Sequence, residues 1–264
     1  MAADGVAMGG KADGLALLQR RLRVPPFKVF SYEIGHELTR EDRAALISAF
    51  EQLNTGRVAV RSSGQREDGV NAAYAGVFET KLYVRREDLI EAVEDVLESA
   101  RSARVEAYES ALDLRGIADG MSVIIQRMVN SRVSGVCVTH IEPRGGSTVV
   151  EACLGLGEAL VAGLVDPDRY ILNGHQVEEI SVGYQARRLV GKEDWPRAQW
   201  EPVPFHQRSA RKLTNEELLA VVTGSFEAEE LLGVESADVE WAFEGSELYF
   251  LQCRPYTPVI HKLS

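Results

Sequence analysis

Polar and apolar residues alternate with a period of two on both sides of a Gly245-Ser246 turn signal, through DVEWAFEGSELYFLQCR at 238–254. This pattern predicts a β-hairpin with one face on a core. Helical spacing appears elsewhere. Leu89, Val93, Val96, Leu97 and Ala100 predict an amphipathic helix over 86–111, and Leu38, Leu46, Ile47, Phe50 and Leu53 predict another over 36–55. Thr214 and Glu217 form a capping-box pattern that opens a helix running to about 232. Near the start, Leu15, Leu18 and Leu22 give a short helical pattern before Pro25-Pro26 and a strand-like run.

Strands fill most of the remainder. Val58 and Val60 suggest a buried strand that delivers Arg61, Ser62 and Ser63 to its end, followed by a loop and a strand over 77–84. SVIIQRMV at 122–129 is a continuous apolar run broken by Gln126 and Arg127. Strands at 133–139 and 147–152 flank an Arg144-Gly145-Gly146 turn, and Gly155-Leu156-Gly157 opens a short helix whose N-terminus can receive an anion. From 173 to 212 the chain is polar and punctuated by Trp and Pro, which reads as a hairpin and then an irregular loop. That loop is a candidate lid or acceptor contact.

A chain of 264 residues can bury a substantial core in one large domain or two lobes. A hydrophobic content of 45% and a charged content of 26% are ordinary for a globular protein. The net charge of -11 argues against nucleic acid as the main partner, because neutralising phosphates needs a basic face. No apolar run reaches membrane-spanning length, so the expectation is a cytoplasmic protein with no membrane partner. Cys137, Cys153 and Cys253 form no CxxC pair and read as small buried hydrophobes of a reducing compartment. The five histidines show no metal-ligand spacing and read as surface or satisfied residues.

Chemistry concentrates on the hairpin. If its loop is three residues, 245–247, then Glu240 lies opposite Gln252, Asp238 lies opposite Arg254, and all four share one face. The other face then carries Val239, Trp241, Phe243, Tyr249, Leu251 and Cys253. A two-residue loop would put Glu240 and Gln252 on opposite faces. Two carboxylates, an amide and a guanidinium suit a divalent metal with a polyphosphate, since Mg²⁺ takes hard oxygen ligands and arginine's fork matches phosphate oxygens. On pattern alone, a solvated outer strand face fits equally well.

DVEWAF followed by LYFLQCRP resembles the end of the ATP-binding domain of the phosphoenolpyruvate synthase and pyruvate phosphate dikinase family, which includes the rifampin phosphotransferases. Three further segments resemble that domain in the same order: the opening GGK with its VPP, the RSS strand, and VVEACLGLGE with its Pro-Asp pair before Tyr170. The resemblance implies an α+β ATP-grasp fold, with an N-terminal lobe over 9–125, a C-terminal lobe over 126–257 and a tail over 258–264. It implies that Lys11, Arg61 and Arg254 hold and stabilise the ATP phosphates. It places Gln126, Met128 and Val129 at adenine and Gly76 and Gln252 among the nucleotide contacts, while Glu151 either binds the nucleotide or orders its loop. Glu240 and Gln252 would carry Mg²⁺, with Asp238 in or beside its ligand sphere.

Departures from the family bear on the acceptor. The connecting region over 36–55 is shorter than in familiar members, and Gly64-Gln65-Arg66 precedes Glu67-Asp68 where an alanine- or threonine-rich stretch is usual. The family's Thr-Ser-His segment is not found in this sequence. The expected activity is therefore dikinase-type phosphotransfer from Mg-ATP to a histidine supplied in trans by a partner domain. The alternatives are direct action on a small-molecule acceptor, as a kinase or ligase, and a non-catalytic nucleotide-binding module.

Overall fold

The computed structural model describes residues 10–33, 35–64, 80–99, 120–141, 146–191 and 198–257. Gly76 and the glutamate-aspartate pair at 67–68 lie outside the described residues, as do the later part of the helix expected over 86–111 and the tail over 258–264. The chain divides into two compact units, one containing residues 26–128 and the other 129–256. Helix α1, Gly10–Leu18, starts in the first unit and finishes in the second, which also takes Gly14–Pro25.

The first unit is built on a four-stranded antiparallel sheet in the order β1-β4-β2-β3, with β1 Phe27–Glu33, β2 Val58–Gly64, β3 Thr80–Val84 and β4 Gly120–Arg127. One sheet face carries Tyr32, Val58, Val60, Val84, Met121, Val123 and Ile125 into a core shared with α2, Arg40–Gln52, and α3, Leu89–Ser99. Helix α2 starts at a capping box in which Thr39 accepts from the Asp42 amide and Asp42 accepts from the Thr39 amide, which satisfies two end groups at once. Alternate residues of β2 and β4, namely Ala59, Arg61, Ser63, Ser122, Ile124 and Gln126, lie on the opposite face.

The second unit holds a six-stranded antiparallel sheet in the order β12-β11-β5-β6-β7-β8. Its strands are β5 Val133–Ile141, β6 Ser147–Leu154, β7 Asp168–Asn173, β8 Gln176–Ser181, β11 Ala237–Glu244 and β12 Glu247–Pro255. Between them come the short helix α4, Glu158–Val161, and the helix α5, Asn215–Leu232, which opens with the capping box read from Thr214 and Glu217. Helix α5 covers one sheet face. A Cβ on its Gly224 would come within 2.2 Å of the Phe250 ring, so close packing there requires glycine. The stretch expected as an irregular loop contains a two-stranded sheet, β9 Arg187–Val190 with β10 Gln199–Pro202, and a 3₁₀ turn at Phe205–Gln207. Among the described residues, no helix is long and apolar enough to cross a membrane.

The hairpin corrects one expectation in detail. Its loop is the two-residue turn Gly245-Ser246, with Glu244 opposite Glu247 and Gly245 at φ 60°, a conformation that suits tight hairpin turns. A β-bulge then places Leu251 as an extra residue between the Trp241–Phe250 and Glu240–Gln252 pairs. The bulge restores the expected pairing, with Glu240 opposite Gln252 and Asp238 opposite Arg254. It also moves Tyr249 off the apolar face: Tyr249 pairs with Ala242, and Phe250 takes the core position beside Trp241. Tyr249 instead donates to Glu247 Oε2 at 3.0 Å and lies under the Arg23 guanidinium.

Candidate functional site

Strand register in the second unit assembles the polar face. Directly opposite residues share a face, so Gln252, Glu240, Val136, Glu151 and Arg169 form one row across five strands. Arg254, Asp238 and Val138 form the neighbouring row. This face is the one away from α5, because Cys137, Thr139 and Trp241 point the other way and Thr139 meets Glu229 of that helix. Close approach of the strands here depends on Gly135, where a Cβ would meet the Glu151 carbonyl at 1.9 Å and the Trp241 ring at 2.6 Å.

Within these rows one pair is held firmly. Arg254 donates from Nε at 2.9 Å and from Nη2 at 2.7 Å to the same Asp238 oxygen. Gln252 is buried, Glu240 is half-buried, and Glu151 makes a loose ion pair with Arg169 at 3.9 Å. An amide and a carboxylate side by side on a rigid strand pair match the oxygen-donor chemistry of Mg²⁺, so the residues fit the ion. Asp238 is engaged with Arg254, which favours a role beside the metal sphere over one inside it. Among the described residues there is no group of three His, Cys, Asp or Glu side chains placed to hold a metal.

In the first unit, Arg61 projects from β2 and donates from Nη1 to Gln126 Oε1 at 3.5 Å. Gln126 is 3% exposed, and its Nε2 is buried with no hydrogen-bond partner. An orphaned amide donor beside a guanidinium is costly unless a ligand completes it, which suits an acceptor-rich nucleotide. The Met128 amide donates to Arg57 O at 3.2 Å and its carbonyl accepts from Arg127 Nη1 at 3.3 Å, so only the carbonyl's second lone pair remains for a base. In the second unit, Val129 is buried and its carbonyl accepts from the Ser131 hydroxyl. Lys11 sits in the first turn of α1, whose next amide, Ala12, donates to Ser63. Gly76 lies outside the described residues.

A family model described as the pyruvate phosphate dikinase AMP/ATP-binding domain matches residues 28–262. The chain belongs to that family. Its helices and antiparallel sheets give it the α+β class expected from the sequence. Among its relatives, a probable phosphoenolpyruvate synthase of Archaeoglobus fulgidus is 36% identical over 206 residues, covering 76% of this chain and 27% of that protein. The phosphoenolpyruvate synthase of Escherichia coli is 33% identical over 236 residues, covering 81% of this chain and 29% of that one. The prodigiosin synthesizing transferase PigC of Serratia marcescens is 29% identical over 219 residues, covering 81% of this chain and 24% of that one. The chain thus spans about a quarter of the length of these relatives.

Two features of this dikinase-family domain escaped the sequence reading. Two amides of the Gly155-Leu156-Gly157 loop, expected to lead into an anion-receiving helix start, are already taken. The Gly155 amide donates to Arg132 O, the Leu156 amide donates to Leu189 O, and the helix that follows has four residues. The glycine at 155, with φ 86°, instead allows a close bridge to Leu189.

Secondly, Asp168 and Lys212 form a fully buried ion pair at 2.5 Å. Asp168 also accepts from the Tyr170 hydroxyl at 2.7 Å, the Lys212 amide at 2.8 Å and the Gly183 amide at 3.1 Å. A lysine 44 positions away leaves no local signal in the sequence.

Three of the five histidines are satisfied residues, His206 is exposed, and His261 lies outside the described residues. His36 meets Asp42, His140 meets Glu229 and stacks on Phe226, and His175 meets Thr223.

Proposed function

We propose that this chain is an ATP-dependent phosphotransferase of the dikinase type, which binds Mg-ATP and passes a phosphoryl group to a histidine supplied in trans by a partner domain. The observation that carries the reading is the pair of rows on the sheet face of the second unit away from α5, Glu240 opposite Gln252 and Asp238 opposite Arg254. A scaffold has no physical need for converging charges that cost desolvation.

Glu240 and Gln252 would hold Mg²⁺, with Asp238 beside it. When bound, the ion supplies positive charge to the phosphate oxygens. Arg254, Arg61 and Lys11 would hold the phosphates and stabilise the charge that shifts during transfer, and catalysis of this kind is mostly positioning and electrostatics. The two hydrogen bonds that Arg254 donates to Asp238 keep its guanidinium in one orientation, so less side-chain freedom is lost when a phosphate arrives. Gln126, Met128 and Val129 belong to the adenine end, while Glu151 and Gly76 complete the nucleotide contacts.

A second reading, direct action on a small-molecule acceptor, is favoured by the similarity to a transferase named for prodigiosin synthesis. Phosphorus NMR of the purified chain with Mg-ATP, alone and with a recombinant histidine domain, separates the two. AMP and phosphate formed only in the presence of the histidine domain support the dikinase reading. ADP formed with a small-molecule fraction supports the second. Arg254→Ala is expected to lower turnover by about 10²–10³ with the fold retained, the usual cost of losing one charge-stabilising donor. Turnover equal to wild type would refute the assignment.

A further inference from the structure

We propose that Ser63 is a positioning residue, whose hydroxyl anchors the first turn of α1 and so sets Lys11 against the strand that carries Arg61. The inference rests on the reading of Lys11 and Arg61 as phosphate ligands, and adds how the lysine comes to be placed.

The Ala12 amide donates to Ser63 Oγ at 3.1 Å, across 51 positions of sequence. Both residues are buried, Ala12 at 0% and Ser63 at 1% exposed. Ala12 lies in the first turn of α1, where helix amides have no acceptor within the helix and need one from outside. A cap normally comes from the residue just before the helix. Here Gly9 and Gly10 have no side chains to offer, and the acceptor comes from a strand.

The geometry transmits directly to Lys11. Its Cα shares a peptide unit with the Ala12 nitrogen, roughly 3 Å along the bonds, so it stands within about 6 Å of the Ser63 hydroxyl. Arg61 and Ser63 are two residues apart on β2 and share a face, with Cα atoms about 7 Å apart. Ser63 itself is held by the neighbouring strand β4. It pairs with Ser122, which pairs in turn with Ser31, and the latter two hydroxyls are 2.9 Å apart. The strand thus acts as one rigid reference for both basic residues.

The test is a double-mutant cycle on ATP affinity, measured by calorimetry on the full chain, with thermal melting as the fold control. Lys11→Ala should weaken ATP at least ten-fold. Ser63→Ala should weaken it by about 5-fold, the usual scale for losing one capping hydroxyl. If Ser63 acts through Lys11, the double variant binds no more than two-fold worse than Lys11→Ala alone. Ser63→Thr keeps the acceptor and should stay within two-fold of wild type. Unchanged affinity in Ser63→Ala, or additive losses in the double variant, would overturn the proposal. Wild-type affinity in Lys11→Ala would give a different result, overturning the lysine assignment and the proposal with it.

Discussion

Replacing Lys212 with Met removes one half of an ion pair whose side chains are both fully buried. Asp168 then keeps three neutral donors, the Tyr170 hydroxyl and the amides of Gly183 and Lys212. Burial, followed by the Asp168 hydrogen bond, pushes the Tyr170 hydroxyl up to about 12, so it stays protonated and able to donate. Breaking a buried pair from one side costs about 3–5 kcal/mol, and the three surviving donors put this variant near the lower end, at about 3 kcal/mol. For a chain of this size that corresponds to a fall in Tm of about 6–12 °C. Asp168→Asn should cost more, about 4 kcal/mol, because the Lys212 ammonium would keep only the Gly183 carbonyl and a neutral amide oxygen. The double variant should be more stable than the sum of the two losses predicts. Thermal melting followed by circular dichroism reads all three. A Lys212→Met melting point within 2 °C of wild type would refute the view that this pair ties β7, the Gly183 turn and the start of α5 together.

The remaining predictions concern the hairpin sheet, the thiols and acid stability. Gly135→Ala should prevent the second unit from folding, because its Cβ would press on the backbone of Glu151, and soluble protein of wild-type melting behaviour would contradict that. Burial pushes the Cys137 thiol up to about 12 and the Cys153 thiol to about 11, so neither should react with iodoacetamide at pH 8 until the chain is unfolded, as intact mass spectrometry would record. Hydrogen bonds from His36 and Thr39 hold the Asp42 carboxyl down at about 2. A folded-state value below the unfolded one means that this stabilisation is present above about pH 4 and is lost as pH falls through about 2. Hydrogen exchange of α2 between pH 5 and pH 2 should therefore show a loss of protection that Asp42→Asn lacks.

The sequence by itself determined the hairpin strands and the polar face that they carry. Period-two alternation is a local property, so the Glu240, Gln252, Asp238 and Arg254 face was legible from 17 consecutive residues. The capping box at Thr214 was legible for the same reason, since its partner is three residues away. Tertiary structure alone decided how the pairing is reached. The tight turn costs one residue of register, and the bulge at Leu251 returns it while exchanging Tyr249 for Phe250 in the core. It also decided every contact between distant segments. Asp168 finds Lys212 at a separation of 44, Ser63 finds Ala12 at 51, and Gln126 finds Arg61 at 65. Hydrogen bonds and ion pairs act over a few ångströms of space, and only the folded path of the chain sets which residues come that close. The same limit explains the Gly155-Leu156-Gly157 loop, which read as the start of an anion-receiving helix, whereas the fold spends the amides of Gly155 and Leu156 on Arg132 and Leu189.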